Sequence, residues 1–362
     1  RLRAILQQAD GVVDALFGTG LTREVGGAYK DAVEAINAAP GPVVSIDIPS
    51  GVDGNNGKIW GVAVRADCTI TFGLPKLGNL LYPGYALCGD LFVTHISFPP
   101  AVYTDEALDV EINRPAPLAK RPADGHKGTF GDILFVAGAA GYFGAPTFAA
   151  LSCLKSGGGY CRLAAPKGIV PHVAGLAPEV VFLPQRQTES GSLALSNLED
   201  LLAWGKKVDF AVVGPGLSLD DETRQLVMKL IAGLECPVLV DGDGLTALAG
   251  DLAVLKKRRV GTTVLTPHFG EMARLCACAI AEVKQDPVGL LQKTVRALGC
   301  HIVLKGAHSL VGTAGGKVFL NPTGNSAMAT AGSGDVLCGN VAAFVGQGLS
   351  LTDALRAAVF VH

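Results

Sequence analysis

Short apolar runs recur along the chain, and glycine-rich turns follow most of them. Runs of this length between turns predict β-strands. They are Val12–Phe17, Val43–Ile48, Ala66–Phe72, Leu91–Ile96, Asp132–Ala137, Tyr160–Ala164, Asp209–Val213, the runs that start at Pro237 and Val264, and His301–Leu304. Apolar residues at helical spacing predict the helices Tyr29–Ala38, Ala145–Lys155 and Val336–Phe344. The alternation of strand, glycine turn and helix predicts an α/β protein with sites at the carboxyl ends of its parallel strands.

Prolines and charges concentrate between Phe98 and Asp124, where the periodicity disappears. Five of the 20 prolines lie there: Pro99, Pro100, Pro115, Pro117 and Pro122. Such a segment is typical of a linker. We therefore predict a first domain at 1–105, a linker at 106–122 and a second domain at 123–362. The second is expected to be a three-layer αβα domain, and the first a partial Rossmann-like αβα domain.

Composition narrows the classes of function. A net charge of −2 without a basic stripe argues against nucleic acid as the main ligand. No apolar run reaches the length of a membrane span. Nine scattered cysteines, an odd number, favour a reducing cytoplasm over a disulfide framework. Cys276 and Cys278 form an isolated pair, where we expect packed thiols rather than a metal site.

The stretch Asn321–Gly339 carries the most specific chemistry. Gly332–Gly334 lies between a predicted strand and the helix that starts near Val336. Free N–H groups and the positive dipole end of a helix bind anions, and glycines allow a phosphate to approach closely. Asp335, the next residue, can accept a proton from a hydroxyl that is being phosphorylated. The alternative is a plain glycine turn with a capping aspartate.

This stretch resembles the anion-hole signature of the ribokinase-like superfamily, and it is most similar to nucleotide-dependent NAD(P)H-hydrate dehydratases. The motifs HKGTFG, GYFGAP, VVGPG, DGDGL, TPHFGE, LKGAHS, NPTGN and GSGD follow that family's order over about residues 120–362. The resemblance implies that the hydrated nicotinamide nucleotide is bound by Ala145, Gly216, His268 and Asp335. It implies that the adenine nucleotide is bound by Lys305, Gly306, Ala307, His308, Ser309 and Gly334.

Each of these residues also has a structural interpretation. His268 after Thr-Pro can cap the helix that starts at Phe269, Gly216 can be a turn glycine, and Lys305 can be a solvated strand end. A fixed positive charge beside a phosphate site favours the binding role for Lys305. Asp241 and Asp243 can either bind Mg²⁺ or close the turn, and the sequence leaves both open.

The first domain resembles the NAD(P)H-hydrate epimerase family. The resemblance rests on the runs that start at Asp14 and Asp47, on Lys76-Leu-Gly78 and on Gly89-Asp90. It implies that the substrate is bound by Gly18, Thr19, Gly20, Leu21, Thr22, Arg23, Glu24, Tyr29 and Asp47. It also implies that Asp47 is the catalytic acid/base and that Asp14 and Ser50 are oxygen ligands of K⁺. The alternative is that the two aspartates cap turns at strand ends.

The start and the end of the sequence depart from the family patterns. The chain begins with Arg1, and the helical pattern of Ala354–His362 is unfinished. The earlier strands and the Asn-Gly-Gly-Asp-Gly loop of the epimerase family have no counterpart here. We expect a fragment cut at both ends. If the polypeptide does start at Arg1, we expect no epimerase activity.

The resemblance implies a repair enzyme for nicotinamide cofactors. It would dehydrate (6S)-NAD(P)H hydrate with ADP as co-substrate, release AMP and phosphate, and epimerise the R and S hydrates in its first domain. Asp335 and Asp47 would be catalytic, with Mg²⁺ and K⁺ as metals. We expect a homo-oligomer. The alternatives are a small-molecule kinase of the thiazole or hydroxymethylpyrimidine type and a non-enzymatic nucleotide-binding scaffold.

Overall fold

The computed structural model describes residues 1–105 and 107–362 in two compact units. The first unit comprises Arg1–Leu108 with Gln285–Pro287, and the second comprises Asp109–Lys284 with Val288–His362. Glu106, the first residue of the predicted linker, lies outside the described residues. In the described chain, no helix combines the length and the apolar character needed to cross a membrane.

The first unit is built on a parallel sheet with the strand order β1-β2-β3-β4. Its elements are α1 (Leu2–Leu6), β1 (Val12–Asp14), α2 (Gly27–Asn37), β2 (Val43–Ile46), β3 (Cys68–Phe72), α3 (Leu77–Leu80) and β4 (Asp90–Thr94). Helix α2 packs Val33 and Ile36 against Val12 and Val43. This packing follows from the apolar spacing of the helix, which gives it one buried face.

The second unit contains a mixed sheet with the order β5-β14-β13-β12-β11-β10-β9-β6-β7-β8. Its strands are β5 (Val110–Ile112), β6 (Asp132–Val136), β7 (Tyr160–Pro166), β8 (Val181–Gln185), β9 (Phe210–Val213), β10 (Val238–Val240), β11 (Thr263–Leu265), β12 (His301–Leu304), β13 (Ser309–Gly312) and β14 (Val318–Asn321). Neighbouring strands are parallel except at β12–β13 and β13–β14.

Helices cover this sheet on both faces, as the burial of its central strands requires. They are α4 (Gly144–Lys155), α5 (Val170–Leu176), α6 (Leu198–Gly205), α7 (Asp221–Gly233), α8 (Asp243–Leu248), α9 (Ala253–Lys256), α10 (Phe269–Cys276), α11 (Ile280–Gln285), α12 (Pro287–Leu298), α13 (Ser333–Gly346) and α14 (Leu351–Val361). The predicted three-layer αβα architecture is confirmed.

Helices α4 and α13 approach each other closely at Gly339. A Cβ at this position would collide with Ser152 Oγ and the Ala149 carbonyl, and it would lie 2.7 Å from the Cys153 nitrogen. No side chain fits there without moving backbone atoms. The contact fixes the separation of the two helices, both of which contribute to the site described below.

The sequence located most of the buried strands and missed three strands at one edge of the second sheet and one strand at the other. The ten predicted strands are all present, with ends that differ by a few residues. Strands β5, β8, β13 and β14 were not predicted. Strand β5 lies inside the predicted linker and pairs with β14, so this part of 106–122 is sheet rather than irregular chain. Two apolar residues, Val110 and Ile112, around Glu111 suffice for an edge strand.

Candidate functional site

The glycine-rich segment before α13 lies at the N-terminus of that helix, as its sequence predicts. Gly332 is the N-cap residue, with a φ of +92° that glycine adopts without steric cost. Gly332–Gly334 and Asp335 are half-buried rather than enclosed. The N–H groups of a first helical turn carry the positive end of the helix dipole. An anion can therefore reach this turn and meet the Asp335 carboxylate beside it.

A lysine stands over the same turn. Lys305 follows directly after β12, and its Nζ lies 3.2 Å from the position that a Cβ on Gly334 would occupy. Nζ donates a hydrogen bond to Asp241 Oδ1 at 2.8 Å and lies 4.0 Å from Glu271 Oε2. Burial by itself lowers the pKa of Lys305, but the neighbouring charges, first that of Asp241, outweigh it and raise that pKa. Lys305 therefore stays positively charged beside the anion site.

Asp335 is poised to act as a base near neutral pH. Burial, and then the charge of Asp241, raise the pKa of Asp335 from 3.8 to about 6, against the opposing charge of Lys305. Asp243 contributes in the same direction as Asp241. A carboxylate with a pKa just below the working pH is mostly ionised yet accepts a proton more readily than an ordinary aspartate.

A second wall of the site comes from α4 and from the turn after β9. Gly216 has a φ of +60°, and a Cβ there would lie 2.9 Å from the Ala145 Cβ and 3.0 Å from the Tyr142 Cβ. Phe148, one turn after Ala145, lies against the start of α13, because a Cβ on Gly332 would be 2.7 Å from its ring. The structure therefore brings Ala145 and Gly216 together and sets α4 beside the anion site.

His268 caps helix α10, which is the structural role that the sequence offered as an alternative to substrate binding. Its Nδ1 accepts hydrogen bonds from the backbone N–H groups of Gly270 at 2.9 Å and Glu271 at 3.2 Å. The Glu271 carboxylate accepts in return from the His268 N–H at 2.8 Å. The His268 side chain is still 54% exposed, with Nε2 3.6 Å from Glu271 Oε1. A substrate contact through the exposed edge of the ring stays a prediction.

The turn Lys305–Ser309 connects β12 to β13. Ser309 Oγ accepts a hydrogen bond from the Gly306 N–H at 3.4 Å and lies 3.2 Å from the Gly306 carbonyl. The Ala307 carbonyl lies 3.1 Å from the position of a Cβ on Gly324, so the NPTGN segment packs against this turn. Through its lysine, the turn adjoins the first turn of α13. A nucleotide role for the turn stays a prediction.

Asp241 and Asp243 are held by partners within the protein. Asp241 is 3% exposed and accepts hydrogen bonds from Lys305 and from Thr266 Oγ1, the latter at 2.7 Å. Asp243 Oδ2 accepts from the Ser218 N–H at 2.8 Å. Among residues 1–105 and 107–362, no group of three or more His, Cys, Asp or Glu side chains could hold a metal ion. These aspartates do not form a resident Mg²⁺ site with a third such ligand.

In the first unit, Asp14 and Ser50 lie together below the loop that follows β1. Asp14 is 1% exposed, and its Oδ1 accepts a hydrogen bond from Ser50 Oγ at 2.6 Å. Its Oδ2 accepts from Ser45 Oγ at 2.8 Å and from the Ser50 N–H at 2.9 Å. Ser50 Oγ also lies 3.3 Å from the Phe17 carbonyl. Several oxygens therefore converge at this point.

Asp47 stands at the end of β2 in an uncommon backbone conformation, with a φ of +69°. Its carboxylate forms an ion pair with Lys76 and accepts hydrogen bonds from Thr71 Oγ1 and the Phe72 N–H, each at 3.1 Å. A strained residue whose charge is held by a lysine is more typical of a functional site than of a plain turn.

The loop predicted to bind the epimerase substrate is open to solvent. Gly18–Glu24 is exposed except for the half-buried Leu21, and a Cβ on Gly18 or Gly20 would meet nothing within 4 Å. Tyr29 is 56% exposed, and its ring packs on the Phe17 ring with centroids 4.9 Å apart. The loop and Tyr29 are accessible to a ligand.

Sequence reasoning missed three contributors to these sites. Glu271 had a local signal, because it follows His268 by three residues in a capping box. Phe148 follows Ala145 by three residues and so shares its helix face. Lys76 belongs to the Lys76-Leu-Gly78 motif, but no role was predicted for it, because nothing in the local sequence links it to Asp47.

Comparisons with known proteins agree along the whole chain. The profile of the NAD(P)H-hydrate dehydratase family matches residues 133–362, and that of the YjeF-related N-terminal family matches residues 1–78. A bifunctional NAD(P)H-hydrate repair enzyme from Thermofilum pendens is 52% identical over 353 residues, which are 98% of this chain and 67% of that protein. One from Moorella thermoacetica is 39% identical over 361 residues, covering 99% of this chain and 68% of that protein.

Solved structures resemble the second unit. The ADP/ATP-dependent NAD(P)H-hydrate dehydratase from Bacillus subtilis, crystallised with ATP and Mg²⁺, is 28% identical with a TM-score of 0.58. The match covers 68% of this chain and 83% of that one. A ribokinase-like superfamily protein from Enterococcus faecalis is 26% identical, also with a TM-score of 0.58, and covers 67% of this chain and 81% of its own.

Proposed function

The chain belongs to the NAD(P)H-hydrate dehydratase family, and we propose that it regenerates NAD(P)H from the (6S)-hydrate with ADP, releasing AMP and phosphate. The observation that carries this proposal is the arrangement at the start of α13. Asp335 lies in the first turn, and Lys305 stands over Gly334 of the same turn. A base and an anion-binding turn thus adjoin each other, as phosphoryl transfer to a hydroxyl requires.

The proposed reaction transfers a phosphoryl group from ADP to the hydrate and then eliminates phosphate. Asp335 accepts the proton of the C6 hydroxyl while that oxygen bonds to the β-phosphorus of ADP and AMP leaves. The C6–O bond then breaks, phosphate departs, and the lone pair of the ring nitrogen forms a double bond to C6. Loss of a proton from C5 completes NAD(P)H. The N–H groups around Gly332–Gly334 and the Lys305 ammonium stabilise the transferring phosphoryl group.

The charges around the site favour a nucleotide that carries its own cation. Lys305 contacts the carboxylates of Asp241 and Glu271, and the Asp335 carboxylate lies near Lys305, Asp241 and Asp243, so negative charge predominates. Mg²⁺ is held largely by phosphate oxygens and water in such sites. This agrees with the absence, among the described residues, of a metal-binding group of three or more side chains.

For the first unit, we propose epimerisation of the R and S hydrates. Asp47 serves as acid/base at the nicotinamide end, and Gly18–Glu24 and Tyr29 bind the rest of the substrate. The converging oxygens of Asp14, Ser50 and Phe17 are of the type that K⁺ prefers. These oxygens match a K⁺ site only in part, because the Asp14 carboxylate already accepts hydrogen bonds from Ser50 and Ser45. The test is the interconversion of purified hydrates in K⁺ against Na⁺ buffer.

One incubation tests the dehydratase proposal. The protein is mixed with the hydrate of NADH and either ADP or ATP, and the return of NADH absorbance is followed while chromatography measures AMP and phosphate. The expected result is one NADH and one phosphate per AMP with ADP. A stable phosphorylated product would indicate a small-molecule kinase instead. No turnover with either nucleotide would favour a non-enzymatic scaffold.

Two further proposals concern the molecule in solution and in the cell. All nine cysteines are free, which supports a reducing cytoplasm. We also propose a homo-oligomer, which light scattering of the purified protein tests. A mass equal to that of one chain would contradict it.

A further inference from the structure

Asp241 ties three elements of the second unit together at the edge of the anion site. It follows β10 directly, and its Oδ1 accepts hydrogen bonds from Lys305 Nζ at 2.8 Å and from Thr266 Oγ1 at 2.7 Å. Its Oδ2 accepts from Cys338 Sγ at 3.3 Å. Cys338 lies one turn after Asp335 on α13, and Thr266 follows β11. With 3% exposure, Asp241 is enclosed by these partners.

The neighbour that depends most on this carboxylate is Lys305. A lysine side chain is flexible and loses considerable rotamer entropy when it is held in one place. In this protein its Nζ has a short contact with Asp241 and a longer one, 4.0 Å, with Glu271. The Asp241 contact therefore decides that the ammonium stands over Gly334.

We propose that Asp241 is a positioning residue of the phosphoryl-transfer site, which holds the Lys305 ammonium against the first turn of α13 beside the Asp335 carboxylate. This inference rests on the proposed function and assigns Asp241 no contact with either substrate. A purely structural ion pair would keep the lysine buried but would not matter to the transferred phosphoryl group. The two alternatives differ in what loss of the Asp241 charge does to kinetics.

Several titratable groups face this carboxylate. They are Asp243 at the start of α8, Lys305 after β12, and Asp335 and Cys338 of α13, while Glu271 of α10 and His362 after α14 face the lysine. Burial raises the pKa of Cys338 well above its ordinary value, and burial lowers the pKa of His362, so both are uncharged at neutral pH. Because the Asp241 charge raises the pKa of Asp335, its removal should move the acid limb of the kcat profile to lower pH.

The first experiment is a double-mutant cycle on the full chain with NADH hydrate and ADP. Asp241→Asn keeps the shape of the side chain and an oxygen for Lys305 but removes the charge. We expect it to lower kcat/KM for ADP by about tenfold or more, the size of a charge-assisted hydrogen bond. In a Lys305→Met background, the same change should alter kcat/KM by less than about threefold, because residues that act through each other are not additive.

The matched control is Asp132→Asn. Asp132 starts β6 and so lies at the amino end of the parallel strands, whereas Asp241 and Lys305 follow the carboxyl ends of β10 and β12. It forms a two-pronged ion pair with Arg162 at 2.7 and 2.6 Å. Like Asp241→Asn, the Asp132→Asn variant loses one carboxylate from an ion pair. It should therefore lower the melting temperature and leave kcat/KM for ADP unchanged. An equal kinetic loss in both variants would show that Asp241 is merely structural.

Two other outcomes overturn the inference. A tenfold loss from Asp241→Asn that persists in the Lys305→Met background would mean that Asp241 does not act through the lysine. An acid limb that stays in place in Asp241→Asn would mean that its charge does not reach Asp335. Both outcomes are measured relative to a wild-type protein that is active in the same assay. A wild type that forms no NADH from the hydrate would refute the proposed function instead.

Discussion

Replacement of Asp335 by Asn tests whether this carboxylate is the base of the reaction. The side chain keeps its size, but it can no longer accept a proton from the substrate hydroxyl. The loss of a positioned general base typically slows a reaction by about 10²- to 10⁴-fold. We expect kcat to fall within that range while KM for ADP changes little, because Lys305 and Gly334 remain in place.

The same change should stabilise the fold. Burial raises the pKa of Asp335 from 3.8 to about 6, so the folded protein holds this carboxylate less favourably than the unfolded chain does. The shift is roughly 2 units at 1.36 kcal/mol each, or at most about 3 kcal/mol. The site is half-buried, and solvent reduces this figure. The destabilising effect is full above pH 6 and disappears as the pH falls through 6 toward 3.8.

Wild-type kcat should rise with pH as Asp335 loses its proton. Only the ionised Asp335 is a base, so kcat should be near its plateau at pH 7, halved near pH 6 and about tenfold lower at pH 5. Trp60 lies in the first unit and Trp204 of α6 in the second, so the fluorescence of a Trp60→Phe variant reports whether the second unit stays folded over this range.

The assay pairs turnover with stability. NADH recovery from the hydrate gives kcat and KM, and thermal melting at pH 7 and pH 5 gives the change in stability. An Asp335→Asn variant with wild-type kcat would refute the role of base. A variant that is inactive but less stable at pH 7 would show that the carboxylate is not held in an unfavourable environment, and the reasoning about its pKa would be wrong.

Three further variants test other parts of the structure. Gly339→Ala should lower the free energy of unfolding by about 2 kcal/mol or more, because a Cβ there collides with Ser152, and an unchanged melting temperature would contradict the close packing. His301 Nδ1 is buried without a hydrogen-bond partner, and burial lowers the pKa of His301 from 6.5. Stability that the neutral ring confers is therefore full above pH 6.5 and is lost as the pH falls through the lowered pKa. In urea titrations, the free energy of unfolding of His301→Leu should change less with pH than that of the wild type. An equal change with pH in both proteins would show that His301 is not the group responsible. Lys76→Met should slow interconversion of the hydrates by about tenfold and leave dehydration of the S form unchanged, because the partner of Lys76 is Asp47. Equal rates of interconversion in the wild type and in Lys76→Met would show that Lys76 has no role in epimerisation.

The sequence predicted the parts of the site that are local in the chain. A helix N-terminus at Gly332–Gly334 follows from the glycines and from the apolar pattern that begins at Val336. The buried strands follow from their short apolar runs. Strands β13 and β14 were missed, although Gly315 and Gly316 mark the turn between them.

The contacts between distant residues could not be predicted in this way. Lys305 and Asp241 are 64 residues apart in the chain and meet because β12, β11 and β10 are neighbours in the sheet. Strand order depends on the packing of the whole unit, which periodicity does not encode. The same holds for Asp47 and Lys76, whose ion pair spans 29 residues. Roles that arise from one helix turn were therefore accessible, and roles that arise from neighbouring strand ends were not.

The close approach of α4 and α13 at Gly339 also bears on how spent nucleotide leaves. With Ala149 and Ser152 in direct contact with that glycine, the two helices cannot move apart without breaking a tightly packed seam. The cleft can widen more readily at the turn 305–309, where part of the backbone is exposed. If the turn binds the adenine nucleotide, as the family resemblance implies, mutations there should change the rate of AMP release without touching Asp335.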